Sequence, residues 1–196
     1  MLPAESTKER LLDEARDLYL EVGPAGFSLR EVARRSHLTA AAVYRHYDGK
    51  DALLGAVCAE GFRVFASYLM QSLEKPKPLD RMRAMTAQYL KFALDRPRDY
   101  RVIFMSEVPA RLEAAAATQS PTPAPSFQFL LDRVRECMDE KVFRKADVRE
   151  TAVTIWAHVH GLVSLYLAGH LGPIQEPREF SSVFARSTEH LLAGLK

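Results

Sequence analysis

The sequence predicts an all-α fold. Apolar residues recur at helical spacing along nearly the whole chain, strand-like alternation is absent, and Gly or Pro stands at the ends of most helical stretches. The chain has 196 residues, of which 47% are hydrophobic and 27% charged, enough for one well-buried domain or two small ones. We expect about nine helices, with a three-helix N-terminal domain in residues 1–50 and a helical C-terminal domain in residues 51–196.

The first predicted helix begins at Ser6, which with Glu9 has the spacing of a capping box. It places its leucines on one face and ends at Gly23-Pro24, since a C-terminal Gly followed by Pro stops a helix. Such a helix is suited to pack across the next two helices, which are short.

Two short helical stretches come next, separated by a tight turn. Ser28 with Glu31 forms a second capping-box pattern, and Thr39 is a further N-cap that opens a helix over Ala40–Tyr47. The turn between them contains His37. Two helices of about two turns, joined by three or four residues, form a helix-turn-helix, whose second helix can enter the DNA major groove.

Positive charge is concentrated on this two-helix stretch. Residues 28–50 carry five cations against Glu31 and Asp48, a net charge of +3, whereas residues 1–27 carry a net charge of −3. The net charge of the whole chain, +2, is too small to indicate nucleic acid by itself. The local distribution, however, is the one expected for contact with phosphates.

The remaining helices are separated by Pro and Gly. The fourth runs from about residue 50 to 74, and its apolar stripe is broad enough to join the first domain to the rest of the chain. Residues 113–126, where four alanines lead into three prolines, are predicted to form a mobile loop or connector. The later helices are predicted at 79–95, from 97, at 126–141, at 147–171 and from 177. Asp147 with Glu150 is the predicted cap of the helix at 147–171.

The helix-turn-helix stretch resembles the DNA-binding domain of TetR-type transcriptional regulators. The similarity is carried by LREVA at 29–33, LTAAAVYRHY at 38–47 and KDALL at 50–54. The family usually has Gly at the turn position that His37 occupies here, so the resemblance implies that His37 adopts a backbone conformation that residues other than Gly adopt less readily. WAHVHGL at 156–162 further resembles the subgroup whose regulatory domain is named for its Trp-His-Gly motif. The resemblance implies a cytoplasmic homodimer, most often a repressor, that binds a palindromic DNA operator and responds to a small-molecule effector.

By this resemblance, several exposed groups are expected to hold the DNA backbone, because hydroxyls and helix N-termini suit phosphate. Ser28 and Thr39 would serve both as caps and as phosphate contacts. Arg45 can bond a guanine edge or contact a phosphate, and alanines at the start of the second helix can meet thymine methyls. The predicted DNA-binding residues are Ser28, Arg30, Thr39, Ala40, Ala41, Tyr44, Arg45, His46 and Lys50.

A stripe of Met and aromatic residues in the middle helices is core by default, but the resemblance implies an inducer cavity there. Two histidines of the eighth helix are two positions apart, so they point to different sides and cannot share a metal. One is expected to face the interior and the other a neighbouring helix or subunit. The predicted pocket residues are Met85, Tyr89, Phe92, Tyr100, Phe104, Trp156, His158 and His160.

The last two helices carry more apolar residues than one small domain readily buries. A two-helix dimer face, doubled by symmetry into a four-helix seam, would use them. The predicted dimer residues are Leu165, Leu171, Val183, Phe184 and Leu191.

Other function classes are disfavoured. The N-terminus lacks a secretory pattern, no apolar run reaches membrane-spanning length, and Cys58 and Cys137 lack metal or redox spacing. No nucleophile–base pair, carboxylate pair or phosphate loop stands out, so we expect no catalytic site, cofactor or metal. Two alternatives remain open: an all-α small-molecule-binding protein or enzyme that uses the C-terminal pocket, and a helical adaptor that does not bind DNA.

Overall fold

The computed structural model describes residues 7–108 and 125–196, and these ranges contain nine α-helices and no strand, which confirms the all-α class. A short 3-10 turn, Gln71–Glu74, comes after the fourth helix. The predicted cap Ser6 and nearly all of the connector predicted at 113–126 lie outside the described residues. The helices are α1 Thr7–Gly26, α2 Leu29–Arg35, α3 Ala40–Tyr44, α4 Lys50–Met70, α5 Pro78–Asp95, α6 Pro97–Phe104, α7 Pro125–Asp139, α8 Val148–Leu167 and α9 Pro177–Gly194.

The chain folds as two compact units. Within the described residues, the first unit contains the chain up to Arg63 together with residues 98–108, and the second contains the remainder. The division falls inside α4, later in the chain than the domain limit expected at residue 50. It also assigns almost all of α6 to the same unit as the helix-turn-helix.

The core of the first unit is built from α1 to α4 and from the α6 region. Val102 and Val108 belong to the same buried cluster as Leu18, Val32 and Leu53. Gly61 of α4 is buried, and a Cβ added there would lie 2.7 Å from Cγ2 of Ile103. The absence of a side chain at this position therefore allows α4 and α6 to approach closely.

The break predicted at Gly23-Pro24 is confirmed, and a short separate helical turn follows it across a kink within α1. Gly23 has φ 66° and ψ −175°, and one more helical turn continues to Gly26. Beyond that turn, Phe27 is buried and its ring meets Tyr19 edge-on, with centroids 6.3 Å apart. The kink thus turns the chain back so that α2 starts beside α1.

The second unit packs α5 against α7, α8 and α9, and the last residues of α4 join it. Three aromatic residues form its centre, with Phe65 5.1 Å from Phe92 and 5.5 Å from Tyr89, measured between ring centroids. The α8 helix ends at Leu167, four residues before the predicted end. Gly169 (φ 74°) closes it there with a hydrogen bond from its amide to the Tyr166 carbonyl.

One helical stretch, Lys50–Glu74, is long and apolar enough to cross a membrane by length and composition, which the sequence expectation missed. Several of its apolar side chains are packed in the two cores. Leu53 and Leu54 are buried in the first unit, and Phe65 and Leu69 in the second. Because α4 contributes apolar side chains to both cores, its apolar stripe is broad.

Candidate nucleic-acid interface

The turn of the helix-turn-helix is a Schellman motif with a histidine at its left-handed position. The amide of Leu38 donates to the Ala33 carbonyl at 2.8 Å, and the amide of His37 donates to the Arg34 carbonyl at 3.2 Å. His37 has φ 57°, as expected from the sequence, although Gly adopts this conformation at lower cost. These two bonds fix the angle at which α3 leaves α2.

Replacing His37 by Gly is therefore expected to stabilise the protein by about 0.5–1 kcal/mol, because the left-handed conformation strains any residue with a Cβ. Chemical denaturation measures the change. His37→Ala is the matched control, since it removes the imidazole but keeps the Cβ, and it should not stabilise. An equal gain in both variants would assign the effect to the imidazole and contradict the backbone argument.

Both predicted caps are confirmed. Ser28 Oγ accepts a hydrogen bond from the Glu31 amide at 3.4 Å, and Thr39 Oγ1 accepts one from the Ala42 amide at 3.1 Å. The α3 helix is shorter than predicted and ends at Tyr44. Its last turn tightens, with the His46 amide bonded to the Val43 carbonyl at 3.0 Å.

Three helix ends surround one open cleft of about 360 Å³, which we name the α2–α4 cleft. Ser28 and Arg30 border it from the start of α2, Tyr44 from the end of α3, and Lys50 from the start of α4. All four side chains are exposed, and Tyr44 is 51% exposed although it is aromatic. The fold thus brings together four of the nine predicted DNA-binding residues around a depression that contains two helix N-termini.

The other five predicted DNA-binding residues do not border this cleft. All of them belong to α3 or directly flank it, and four are exposed while Ala40 is half-buried. Apart from Arg45 and His46, their side chains are small. They are Thr39, Ala40, Ala41, Arg45 and His46.

Ion pairs divide the cations of this region into two groups. Both Arg34 and Arg35 bond the Glu31 carboxylate, at 2.6 and 3.2 Å, and Arg35 also bonds Glu21 at 2.7 Å. The other three cations are exposed and make no ion pair within the described part of the chain. The positive charge free to meet phosphate therefore comes from Arg30, Arg45 and Lys50.

Hydrogen bonds from Arg34, the largest cause, and from Arg35 lower the pKa of Glu31 to about 2. A carboxyl group whose pKa is lower in the folded than in the unfolded protein stabilises the fold while it is ionised. The contribution of Glu31 to stability is therefore complete above pH 4.5, its ordinary pKa, and is lost as the pH falls through 2. Carboxyl NMR titration of the native protein is expected to show Glu31 still ionised near pH 3.

The Arg34→Gln variant should move the pKa of Glu31 back toward 4.5, whereas Arg30→Gln, a cation of the same helix without an ion pair, should leave it in place. Titration of Glu31 at an ordinary value in the native protein would contradict the ion-pair network.

In the second unit, three of the predicted pocket residues come together. The Tyr89 hydroxyl lies 3.1 Å from Nδ1 of His160, and the Trp156 ring is 6.0 Å from the imidazole between centroids. Two further residues join them: Ser164 Oγ is 3.3 Å from Nε2 of His160, and Phe127 is 5.9 Å from Trp156. Sequence reasoning missed both, although Ser164 stands one helical turn after His160.

Other predicted pocket residues have different environments. Phe92 is fully buried against Phe65 and Tyr68, so it fills the core. Met85 is also buried in the second unit, whereas Tyr100 and Phe104 belong to the first.

The two histidines of α8 point to different neighbours, as expected from their spacing. His160 bonds Tyr89 of α5, whereas Nε2 of His158 lies 3.4 Å from Ser187 Oγ of α9. Burial lowers the pKa of both imidazoles. Within residues 7–108 and 125–196, no group of three or more His, Cys, Asp or Glu residues could hold a metal ion.

The predicted dimer residues need one correction. Phe184 is only 2% exposed and its ring packs against Phe180, with centroids 6.1 Å apart, so it belongs to the core of the chain itself. Leu165 is 44% exposed on α8, where Val153 (45%) and Trp156 (39%) are also exposed. The other three, all half-buried, are Leu171, Val183 and Leu191.

Comparison with known proteins agrees with this geometry. The family model for bacterial regulatory proteins of the tetR family matches residues 11–57, which include the helix-turn-helix. A second model, described as the tetracyclin repressor-like C-terminal domain, matches residues 82–191, more than half of the chain. The chain belongs to the TetR family.

Relatives and solved structures of this family are similar over different lengths. An HTH-type transcriptional repressor of Mycobacterium tuberculosis is 43% identical over 53 residues, 27% of this chain and 28% of the relative. The regulator SrpR of Pseudomonas putida is 38% identical over 56 residues, 29% of this chain and 26% of SrpR. The chain thus matches little more than a quarter of the length of these curated relatives.

The fold similarity extends over nearly the whole chain. The fatty acid degradation regulator FadR from Bacillus halodurans superposes with a TM-score of 0.75 at 12% identity, covering 96% of this chain and 99% of FadR. The TetR family regulator PfmR from Thermus thermophilus gives 0.71 at 18% identity, covering 95% and 99%. These identities establish a shared fold.

Proposed function

We propose that this TetR-family regulator is a repressor that binds a palindromic DNA operator as a homodimer and responds to a small-molecule effector. The observation that carries the proposal is the α2–α4 cleft. It combines an exposed aromatic hydroxyl, unpaired cations and two helix N-termini, and all three favour phosphate. Intracellular DNA is the partner, so the site of action is the cytoplasm.

Within the cleft, each group has a distinct role. Ser28 and Lys50 stand at the starts of α2 and α4, where unpaired backbone amides and the helix dipole attract a phosphate. Tyr44 adds a hydroxyl from the end of α3, and Arg30 adds a second cation. Together they hold the backbone of one half-site and fix the position of α3 in the groove.

Base contacts fall to the first turn of α3, because the N-terminal residues of a recognition helix meet base edges. Ala40 and Ala41 allow that turn to approach the bases and contact thymine methyls. Arg45 stands just after the last residue of α3, a position that favours a phosphate contact over a base contact.

The test is fluorescence anisotropy with DNA from directly upstream of the gene for this protein. Wild type is expected to bind selectively with two chains per site, and Tyr44→Ala should lose most of this affinity. Leu73→Ala is the matched control, since Leu73 is also a large exposed apolar residue (40%) but lies in the second unit. Equal binding by wild type and Tyr44→Ala would reject the cleft as the DNA site.

For the effector site, we propose the surroundings of His160. Tyr89, Ser164 and His160 supply hydrogen-bonding groups, and Trp156 and Phe127 supply aromatic surface, which suits an apolar or aromatic ligand with one polar group. Trp156 is the one tryptophan of the sequence, so its fluorescence reports occupancy of this site directly. Candidate effectors should quench it and release the DNA at the same concentration.

The dimer is proposed to form through α8 and α9. Leu165→Arg is expected to convert the dimer to monomer, because it would bury a charge in an apolar seam. Light scattering after gel filtration measures the mass. Ala87→Arg, at an exposed position of α5, should remain a dimer. A Leu165→Arg protein that is still dimeric would place the interface elsewhere.

We further propose that the C-terminal domain belongs to the Trp-His-Gly subgroup, as Trp156, His160 and Gly161 lie within the matched range 82–191. Regulation rather than catalysis is proposed as the whole activity of the chain, in keeping with the family.

A further inference from the structure

A second open cleft, of about 680 Å³, lies in the second unit at the turn between α7 and α8. Its lining comes from the end of α7, the residues of the turn, the start of α8 and Lys196. The volume is within the range of sites that hold small molecules, about 300–1,000 Å³. We name it the cationic cleft.

Backbone contacts fix its walls. The turn after α7 is a Schellman motif in which Lys141 takes the left-handed position (φ 57°), with the Val142 amide bonded to the Cys137 carbonyl at 2.8 Å. Phe143 anchors this turn in the core at 2% exposure. The Arg144 amide bonds the Leu195 carbonyl at 2.9 Å, so the turn is also tied to the residues just after α9. A cleft with walls held in this way is preformed.

Its lining is strongly cationic. The side chains that line it include five cations and one carboxylate, that of Asp139. One cation, Arg135, is paired with Asp132 at 2.9 Å. The other four are exposed and make no ion pair in the part of the chain that the structure describes. They are Lys141, Arg144, Lys145 and Lys196.

Like charges gathered around a concave surface repel one another and raise the local concentration of anions. We propose that the cationic cleft binds a small polyphosphate, organic or inorganic. Lys and Arg side chains form charge-assisted hydrogen bonds with several phosphate oxygens at once. Met138, Val142 and Val148 supply apolar surface beside the cations for the body of an organic ligand. This site is separate from the α2–α4 cleft and does not depend on the proposed DNA binding.

The test is isothermal titration of the full chain with two probes, inorganic tripolyphosphate and ATP, without divalent cations and at low salt. One equivalent per chain is expected for either probe. The double variant Arg144→Gln/Lys145→Gln should raise the dissociation constant at least about tenfold. ATP binding more tightly than tripolyphosphate would identify an organic ligand, and equal binding would identify phosphate alone as the recognised group.

Lys75→Gln/Lys77→Gln is the matched control, since it also removes two exposed positive charges from the second unit, outside the cleft. The affinity of this control variant for tripolyphosphate and for ATP should stay within about twofold of that of wild type. An equal loss in both double variants, or no binding of either probe at millimolar concentration, would overturn the proposal. Random-sequence duplex DNA tests the other polyanion. If wild type bound neither polyphosphate probe and the cleft variant lost duplex binding, the cleft would be assigned to nucleic acid and the polyphosphate proposal would be overturned as well.

Discussion

Replacing Lys50 by glutamine is expected to weaken operator binding about tenfold and to lower the slope of log affinity against log salt by about one. Lys50 is exposed at the first residue of α4 and borders the α2–α4 cleft. It makes no ion pair within the described residues, so its full charge is available to a phosphate. Glutamine removes that charge while keeping a polar side chain, one atom shorter than lysine, and a good helix former.

The loss should be the same for operator and for random-sequence duplex, because a phosphate contact carries no base information. Fluorescence anisotropy at four salt concentrations measures both quantities. Lys75→Gln makes the same chemical change at an exposed lysine of the second unit, and its salt slope should equal that of wild type. A weakened affinity with an unchanged slope would show that Lys50 does not contact phosphate.

Arg34→Gln offers a second comparison within the same motif. The Arg34 guanidinium is held by both oxygens of Glu31, at 2.8 and 2.6 Å, and this bidentate contact commits its charge within the protein. Replacing Arg34 should therefore change the salt slope less than replacing Lys50 does. The count of five cations in the motif overstates the positive charge that DNA meets, since Glu31 and Glu21 are paired with Arg34 and Arg35.

The local parts of the fold could be predicted from the sequence because their causes are local. Ser28 and Thr39 cap their helices through bonds that span only three residues. The same holds for Asp147, whose carboxylate caps α8 at 2.8 Å from the Glu150 amide. Helix starts are therefore the most predictable features of this chain. The left-handed conformation of His37 is implied by the family's usual Gly at this turn position.

Features that depend on distant residues could not be predicted in the same way. Hydrophobic spacing showed that Phe184 has an apolar role, but only the position of Phe180 and the rest of the core decides that it faces inward. Likewise, the pairing of Arg35 with Glu21 joins α2 to α1 across fourteen positions, which no local pattern indicates. The assignment of α6 to the first unit is the largest such case.

A nearly buried ion pair links α6 to α1 within the first unit. Arg16 of α1 donates to the Asp99 carboxylate of α6 at 2.7 Å, and the two side chains are 12% and 7% exposed. Burial alone would lower the pKa of Arg16, but the carboxylates of Asp99 and Asp13 together outweigh it, and the pKa is raised. A basic group whose pKa is higher in the folded than in the unfolded protein stabilises the fold at every pH below its unfolded-state pKa. The contribution of Arg16 to stability should therefore not vary between about pH 5 and 9.

Removing the Asp99 carboxylate is expected to destabilise the protein by about 2–3 kcal/mol, because it leaves a largely buried guanidinium without its main partner. Chemical denaturation of Asp99→Ala measures the loss. Asp13→Ala is a matched control: Asp13 bonds the same Arg16 nitrogen at the same 2.7 Å but is 43% exposed. Its replacement should cost less than about 1 kcal/mol, since solvent screens that pair.

The double variant Arg16→Met/Asp99→Leu separates the cost of an unpaired charge from the loss of packing. With both charges removed, the apolar replacements should recover most of the stability lost in Asp99→Ala, because the desolvation cost of the guanidinium is gone. Equal losses in Asp99→Ala and Asp13→Ala would show that burial does not strengthen the pair. A double variant as unstable as Asp99→Ala would instead show that α6 is held to α1 by the shape of the two side chains, with their charges contributing little.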